Sequence, residues 1–411
     1  MIFTGFFSNA QKKDVFIAMS YIFLPWNWSK ICVGNKMGLL EKAVGQFFSV
    51  QHVTAFDSGR TALYAILRAC NIKSGDLVMV QAFTCVVVVN AIKELGAQPL
   101  FVDITTGGNM DVEDVKKKYR PDVKAIVIQH TFGVAAEVEP LVNFAKKKKI
   151  YAIEDCAHTF GGKHNDKFLG MFGDASFFSF GSDKPISCGR GGVTITRDTL
   201  IGTKIREYQQ SLSLPSLYFI FKYLLQYVYF PLGKMCYGLY IGKVLLFLLK
   251  KCSIAPRVIT EQEKQGNILK SFHAQLANSL SHIALQQLSG VVRTNNHRRW
   301  VVSQYRSLLA GVSGISFPQV LSPGDIPLRY LLLVENSKEI IFLAKKKGII
   351  LGDWYTSVIG PDDVSMASTG YLPASCPRAE SFKKKVINLP THQSIGKKEI
   401  EVIVLTLKNT I

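Results

Sequence analysis

ASFFSFGSDKPISCGRGGVTIT, residues Ala175–Thr196, sets two short apolar runs on either side of a polar loop that holds one lysine, Lys184. The runs ASFFSF and GGVTIT have the length and β-branched or aromatic content of strands. Gly189–Gly192 leads into the second strand and does not open a helix. GRGG therefore reads as a tight turn and not as a nucleotide loop. Upstream, TAFDSGRTALYAILRAC, LVMVQAF, VVVVNAIKELG, PLFVDI, VEDVKKKY, KAIVIQHTFG, VEPLVNFAKKKK and IYAIEDCAH alternate strand-like with helix-like segments. Strands joined by helices at this spacing need right-handed crossovers, so the expected fold class is α/β with a mainly parallel sheet.

In such a sheet, ligands bind outside the carboxyl ends of the strands. Three groups of polar residues stand just there: Asp155 and His158, the Ser179–Lys184 segment, and the Ser58–Gly59 turn. Alone, Asp155 is more readily a helix cap and Lys184 a solvated loop lysine. Together, at neighbouring strand ends, they match what pyridoxal phosphate (PLP) chemistry needs. That chemistry takes a lysine to form a Schiff base and a carboxylate to hold a ring nitrogen protonated. DSGRTAL adds a helix start whose first free N–H groups, at Gly59, Arg60 and Thr61, can hold a phosphate, with the Ser58, Thr61 and Ser179 hydroxyls beside them.

Size and composition narrow the class. The chain has 411 residues, 48% of them hydrophobic and 19% charged, enough for a real core. Lys and Arg number 49 against 30 Asp and Glu, a net charge of +19, which favours anionic partners such as phosphorylated small molecules or an acidic membrane surface. Neither zinc-finger spacing nor an aromatic-interleaved basic repeat is present, so no nucleic acid is expected. The eight cysteines lie scattered in apolar segments without a C-x-x-C pair, which reads as buried thiols of a reducing cytoplasm, with no metal site. The opening MIFTGFFSNAQKKDVF lacks the order of a signal peptide. His130 is open between lining the site and a structural role.

Three units are expected: 1–210 as a cofactor-binding large domain, 211–251 as an apolar helical insert, and 252–411 as connecting helices with a small C-terminal α+β domain. In the insert, SLYFIFKYLLQYVYFPLGKMCYGLYIGKVLLFLLKK carries single lysines between apolar runs, and no uncharged run reaches the length of a spanning helix. It reads as a helical pair lying on a membrane, at the inner face of the plasma membrane, with a dimer contact or a lid as the alternative.

The ordered set DSGRTAL, VQAFTCVVVVNAI, QHTFG, IEDCAH, FGDASFFSFGSDK and GRGGVTIT, with the tail VINLPTHQSIGKKEIEVI, resembles the DegT/StrS family of PLP-dependent aminotransferases. The resemblance implies aminotransferase fold type I, a homodimer, and amino transfer from an amino acid, commonly glutamate, to a keto group on a nucleotide-linked sugar for surface glycan or polysaccharide synthesis. It makes Lys184 the Schiff-base lysine and proton shuttle, and Asp155 the partner of the pyridinium nitrogen. His158 would lie beside the ring, Ser179 would bind phosphate, and the Arg60 and Thr61 amides would reach the phosphate as well. Cys85 stands where the family often has a stacked aromatic residue. YQQS replaces the family's RNHG-like segment, and no NYRM-like segment is recognisable near GNILKSFHAQL. The alternatives are another PLP reaction such as sugar dehydration, a non-catalytic sugar-nucleotide-binding relative, and a membrane-associated scaffold.

Overall fold

A computed structural model describes residues 1–5, 9–235, 259–267, 273–352 and 354–411, with a few single positions between 242 and 255. The second half of the apolar segment 211–251 therefore lies outside the described residues, as does part of the GNILKSFHAQL segment.

The strands of the central sheet are β1 (His52–Phe56), β2 (Leu77–Gln81), β3 (Gln98–Val102), β4 (Val123–Gln129), β5 (Tyr151–Asp155), β6 (Ala175–Ser179) and β7 (Gly192–Thr196). They lie side by side in the order β1-β7-β6-β5-β4-β2-β3. The pairs from β6 to β3 are parallel, while β7 runs antiparallel to both β6 and β1. The expected α/β class with a mainly parallel sheet is what the structure has.

The helices in chain order are α1 (Lys12–Phe23), α2 (Lys36–Phe48), α3 (Gly59–Ala69), α4 (Val86–Lys93), α5 (Val112–Lys118), α6 (Val138–Lys148), α7 (Thr199–Ser211) and α8 (Leu217–Met235). Further on come α9 (Asn278–Leu288), α10 (Val291–Leu309), α11 (Ser337–Lys346), α12 (Pro377–Lys385) and α13 (Lys397–Lys408). The run Val86–Val89 is helical despite its β-branching because α4 buries Val86, Val88, Val89 and Ile92 in the core under α3. The stretch 278–309 forms two helices, parted at Ser289–Gly290. Helix α1 follows soon after the chain start. It is apolar on more than one face, so no clean 3.6-residue period marks it in the sequence.

In the C-terminal unit, β8 (Arg329–Leu333) and β9 (Val386–Pro390) pair antiparallel. They share a separate core with α10, α11 and α13, through residues such as Tyr305, Ile340 and Ile403. The chain start joins this unit, because Ile2–Phe3 pairs with Ile349–Ile350. A short ladder, Ile359 to Thr84 and Gly360 to Cys85, ties the C-terminal unit back to the mouth of the main sheet.

Candidate active site

Register places the chemistry. Asp155 is level with Gln129 on one side and Phe177 on the other, with Asp155 and Gln129 both at carboxyl ends of parallel strands. Ser179 closes β6 opposite Gly192, which is itself opposite Phe56, so the Ser58 turn and Ser179 meet across a glycine. A Cβ at Gly192 would stand 2.6 Å from the Gly59 nitrogen, and one at Gly59 would stand 2.9 Å from the Ser179 Cβ. These two glycines let three chain segments close to backbone distance. Ser58, Gly59, Arg60, Cys85, Asp155, His158, Ser179 and Lys184 all line one cavity. Thr61, also expected there, is fully buried beneath it.

The phosphate-binding end is the first turn of α3. Ser58 caps it, accepting from the Thr61 amide at 3.3 Å and sharing a 2.8 Å bond with the Thr61 hydroxyl. The Thr61 hydroxyl donates to Asp57 Oδ1 at 2.7 Å, and the Arg190 Nε donates to Asp57 Oδ2 at 2.9 Å. Arg190 thus neutralises the buried Asp57, and the helix N-terminus keeps its positive end for an anion. The Arg60 side chain turns away to pair with Glu263. Burial and the nearby Arg190 push its pKa down to about 10, which leaves it charged at neutral pH. Only its backbone is placed for the cradle.

At the other end, Asp155 is 5% exposed and holds the Ala157 amide through Oδ1 at 2.9 Å. Burial raises its pKa, while the Ala157 amide and the Lys184 ammonium pull the other way. His158 Nδ1 accepts from the Phe132 amide at 3.2 Å, so the assigned tautomer carries its proton on Nε2. Burial, with Lys184 and Arg329 nearby, holds its pKa well below the usual histidine range. The ring stacks on Phe132 at 5.2 Å and 3°. Lys184 is half-buried, and its Nζ lies 4.9 Å from the Trp354 ring centre. Its backbone carbonyl accepts from Asn9 Nδ2 at 2.5 Å. Burial pushes the Cys85 thiol up, which keeps it protonated and makes it a packing group.

Sequence reading missed the opposite wall. Trp354 and Tyr355 enter the cavity from the C-terminal unit and stack on each other at 5.6 Å and 7°. The Arg329 guanidinium lies 4.2 Å from the Trp354 ring centre and pairs with Asp183 at 3.2 Å. Asp183 Oδ1 is buried in the cavity without a hydrogen-bond partner among the described residues. Tyr223 of α8 lines the same space, and the Tyr227 hydroxyl bonds the Ser187 carbonyl at 3.0 Å. Asp183 and Arg190 flank Lys184 in the sequence and carried a readable signal. Trp354 and Tyr355 sit in a loop with no period to reveal them.

His130 has a structural role. Its Nδ1 accepts from the Ala136 amide at 3.2 Å and its Nε2 bonds Glu154 at 3.1 Å. His130, Glu154 and Cys156 lie close enough to share an ion. Glu154, however, already accepts from the amides of Gly170, Phe172 and Gly173 at 2.6–2.8 Å. The group is a satisfied buried network that ties β5 to the following loop.

Do these residues fit PLP? The Gly59–Ser179 approach leaves a cradle that a Cβ would fill, at the positive end of an 11-residue helix. A buried carboxylate lies at the far end of the cavity, and a lysine lies on its wall. An anionic group, a ring nitrogen and an aldehyde each find a partner of the right chemistry, so they fit.

Comparisons with known proteins agree. The DegT/DnrJ/EryC1/StrS aminotransferase family model matches residues 23–226 and 239–408. The chain is 39% identical over 166 residues to GDP-perosamine synthase of Escherichia coli O157:H7, a match covering 40% of this chain and 46% of that protein. It thus spans about half the length of that relative. The spore coat polysaccharide biosynthesis protein SpsC of Bacillus subtilis is 24% identical over 92% of this chain and 90% of its own. Among solved structures, Helicobacter pylori PseC, an aminotransferase involved in the biosynthesis of pseudoaminic acid, superposes with a TM-score of 0.76 at 22% identity, covering 99% of each chain. The PLP-form of a putative sugar aminotransferase from Streptococcus pneumoniae gives 0.76 at 18% identity, over 100% of this chain and 98% of that one. Among the described residues, no helix is long and apolar enough to cross a membrane. The fold is that of these aminotransferases, and the chain belongs to the DegT/DnrJ/EryC1/StrS aminotransferase family.

Proposed function

We propose that this chain binds PLP and transfers an amino group from an amino acid, glutamate in the simplest case, to a keto group of a nucleotide-linked sugar for glycan synthesis. One observation carries the reading. The α3 N-terminus, Asp155 and the Ser179–Lys184 segment come from three separate parts of the chain and line one cavity. Bound there, PLP supplies an aldehyde for amines and a protonated ring that takes up the electron pair of a broken C–H bond.

This chain's own residues do the rest. The amides of the first α3 turn, with the Ser58 and Ser179 hydroxyls, hold the phosphate. The Asp155 carboxylate keeps a proton on the ring nitrogen, and the cationic partner it gains offsets the cost of its burial. His158, neutral and fixed by the Phe132 amide, offers an N–H and a flat face without adding charge. The Lys184 amine takes the proton from the donor's α-carbon and delivers one to the sugar carbon that receives nitrogen. Trp354 and Tyr355 roof the cavity and exclude water. The intact Lys184 favours amino transfer over the dehydration alternative. Homodimerisation belongs to the same proposal and is read by sedimentation.

The test is a two-stage assay with PLP-loaded protein. Glutamate alone should release one equivalent of 2-oxoglutarate per site, and a nucleotide-linked keto sugar should then be aminated without further donor. Loss of water from the sugar, or no half-reaction with any amino acid, overturns the proposal.

A further inference from the structure

Helix α1, which lies almost wholly outside the family match, packs along α8, whose last part from Tyr227 lies outside it too. Their inward faces share one core, with Ala18, Tyr21 and Ile22 against Ile220, Leu224 and Tyr227. The outward faces are apolar too. Phe16 is 70% exposed, Phe23 59%, Trp26 70%, Trp28 53%, Tyr218 72% and Met235 76%. On α1 the stripe follows helical spacing, with Phe16 and Phe23 two turns apart and Lys12 one turn before Phe16. A helix apolar all round is normally covered on all sides. Here one face of α1 is bare, as are the two ends of α8 at Leu217–Tyr218 and Pro231–Met235, and a water-facing patch of this kind marks an interaction surface.

Charge selects the partner. Between residues 9 and 40 the charged side chains are Lys12, Lys13, Lys30 and Lys36, plus Asp14. Asp14 is fully buried, bonded to the Gln11 amide and Gln287. Between residues 211 and 235 they are Lys222 and Lys234 alone. The face therefore presents aromatic rings ringed by one sign of charge. A second copy docked through the same face would set lysine against lysine with no acid to answer it. A bilayer with anionic headgroups answers both features, because aromatic rings settle at headgroup level and lysines reach the phosphates. No described helix can cross a membrane, so the pair lies flat.

We propose that the outward face of α1, the turn Pro25–Lys30 and α8 docks this protein on an anionic bilayer surface. The surface extends beyond α8 to the N-terminal helix, which with the turn that follows supplies Phe16, Phe23, Trp26 and Trp28. It stands independently of the catalytic reading.

The full-length protein is mixed with vesicles of phosphatidylglycerol and phosphatidylcholine, or of phosphatidylcholine alone, and floated. It should float with the mixed vesicles and bind the neutral ones at least about tenfold more weakly. Tryptophan emission should shift to the blue on binding, through Trp26 and Trp28. The double variants Phe16→Ser/Phe23→Ser and Lys12→Glu/Lys13→Glu change exposed residues only. Each should bind mixed vesicles at least about tenfold more weakly, with unchanged circular dichroism, Tm and sedimentation coefficient. Failure of the parent protein to float, or undiminished flotation of both variants, overturns the proposal. A dimer that falls to monomer in the Phe16→Ser/Phe23→Ser variant also overturns it, and assigns the face to a second copy.

Discussion

One wall of the cavity consists of Asp155, Ser179 and the first turn of α3, each at a carboxyl strand end and each fixed by β-ladder register. The other consists of Trp354 and Tyr355, which arrive from the C-terminal unit near the short ladder at Ile359–Gly360, with Arg329 packed against Trp354 and paired with Asp183. The first wall is rigid because every residue sits where a strand or helix stops. The second depends on how two units close on each other. Under the proposed function this divides the labour: the sheet side would hold the cofactor, and the C-terminal side would set which substrate is accepted.

Substitutions should separate the two walls. Asp155→Asn leaves the shape but removes the charge that holds a ring proton. It should lower kcat about a thousandfold, roughly 4 kcal/mol, with substrate KM nearly unchanged, measured in the half-reaction with glutamate. On the other wall, Arg329→Lys loses the planar stack on Trp354 and the fixed geometry toward Asp183. It should raise KM for donor or sugar about tenfold to a hundredfold while PLP affinity stays the same. If PLP affinity falls in parallel, the walls do not divide the labour. Ser179→Ala tests the first wall more gently. One lost hydroxyl at the phosphate should weaken PLP binding by up to about tenfold, read by cofactor titration, with kcat little changed at saturation.

The smallest effect expected is on pH stability, and it reports on the contact of the chain start with the C-terminal unit. His392 is 6% exposed and its Nε2 bonds the Phe3 carbonyl at 2.7 Å. Burial lowers its pKa to about 3 in the folded protein. The unfolded chain takes up a proton near its ordinary value, about 6.5, and the folded protein does not, so stability falls as pH drops below about 6.5. His392→Gln keeps a donor for Phe3 and cannot titrate. Between about pH 7 and pH 5.5 its urea stability should fall by about 1 kcal/mol less than the parent's. Equal slopes would contradict the buried, neutral assignment.

The contrast between the walls also explains what was legible in the sequence. Asp155, Lys184 and the Ser58 turn each follow a strand of clear pattern, so the hydrophobic periodicity alone locates the strand ends and singles out their polar residues. Trp354 and Tyr355 follow no such pattern. Their place depends on a tertiary ladder between Cys85 and Gly360, which no local period encodes. Arg329 begins the strand Arg329–Leu333, but its contacts with Trp354 and Asp183 depend on the packing of two units. Helix α1 was hidden for the opposite reason: it is apolar on the face it buries and on the face it exposes, so the period that betrays an amphipathic helix is missing.

The central claim is that Lys184 is the residue that bonds the cofactor. The PLP-loaded protein is reduced with borohydride, digested and mapped by mass spectrometry. The structure predicts one phosphopyridoxyl group, on Lys184, absent from Lys184→Ala. A label on another lysine, or none at all, would contradict it.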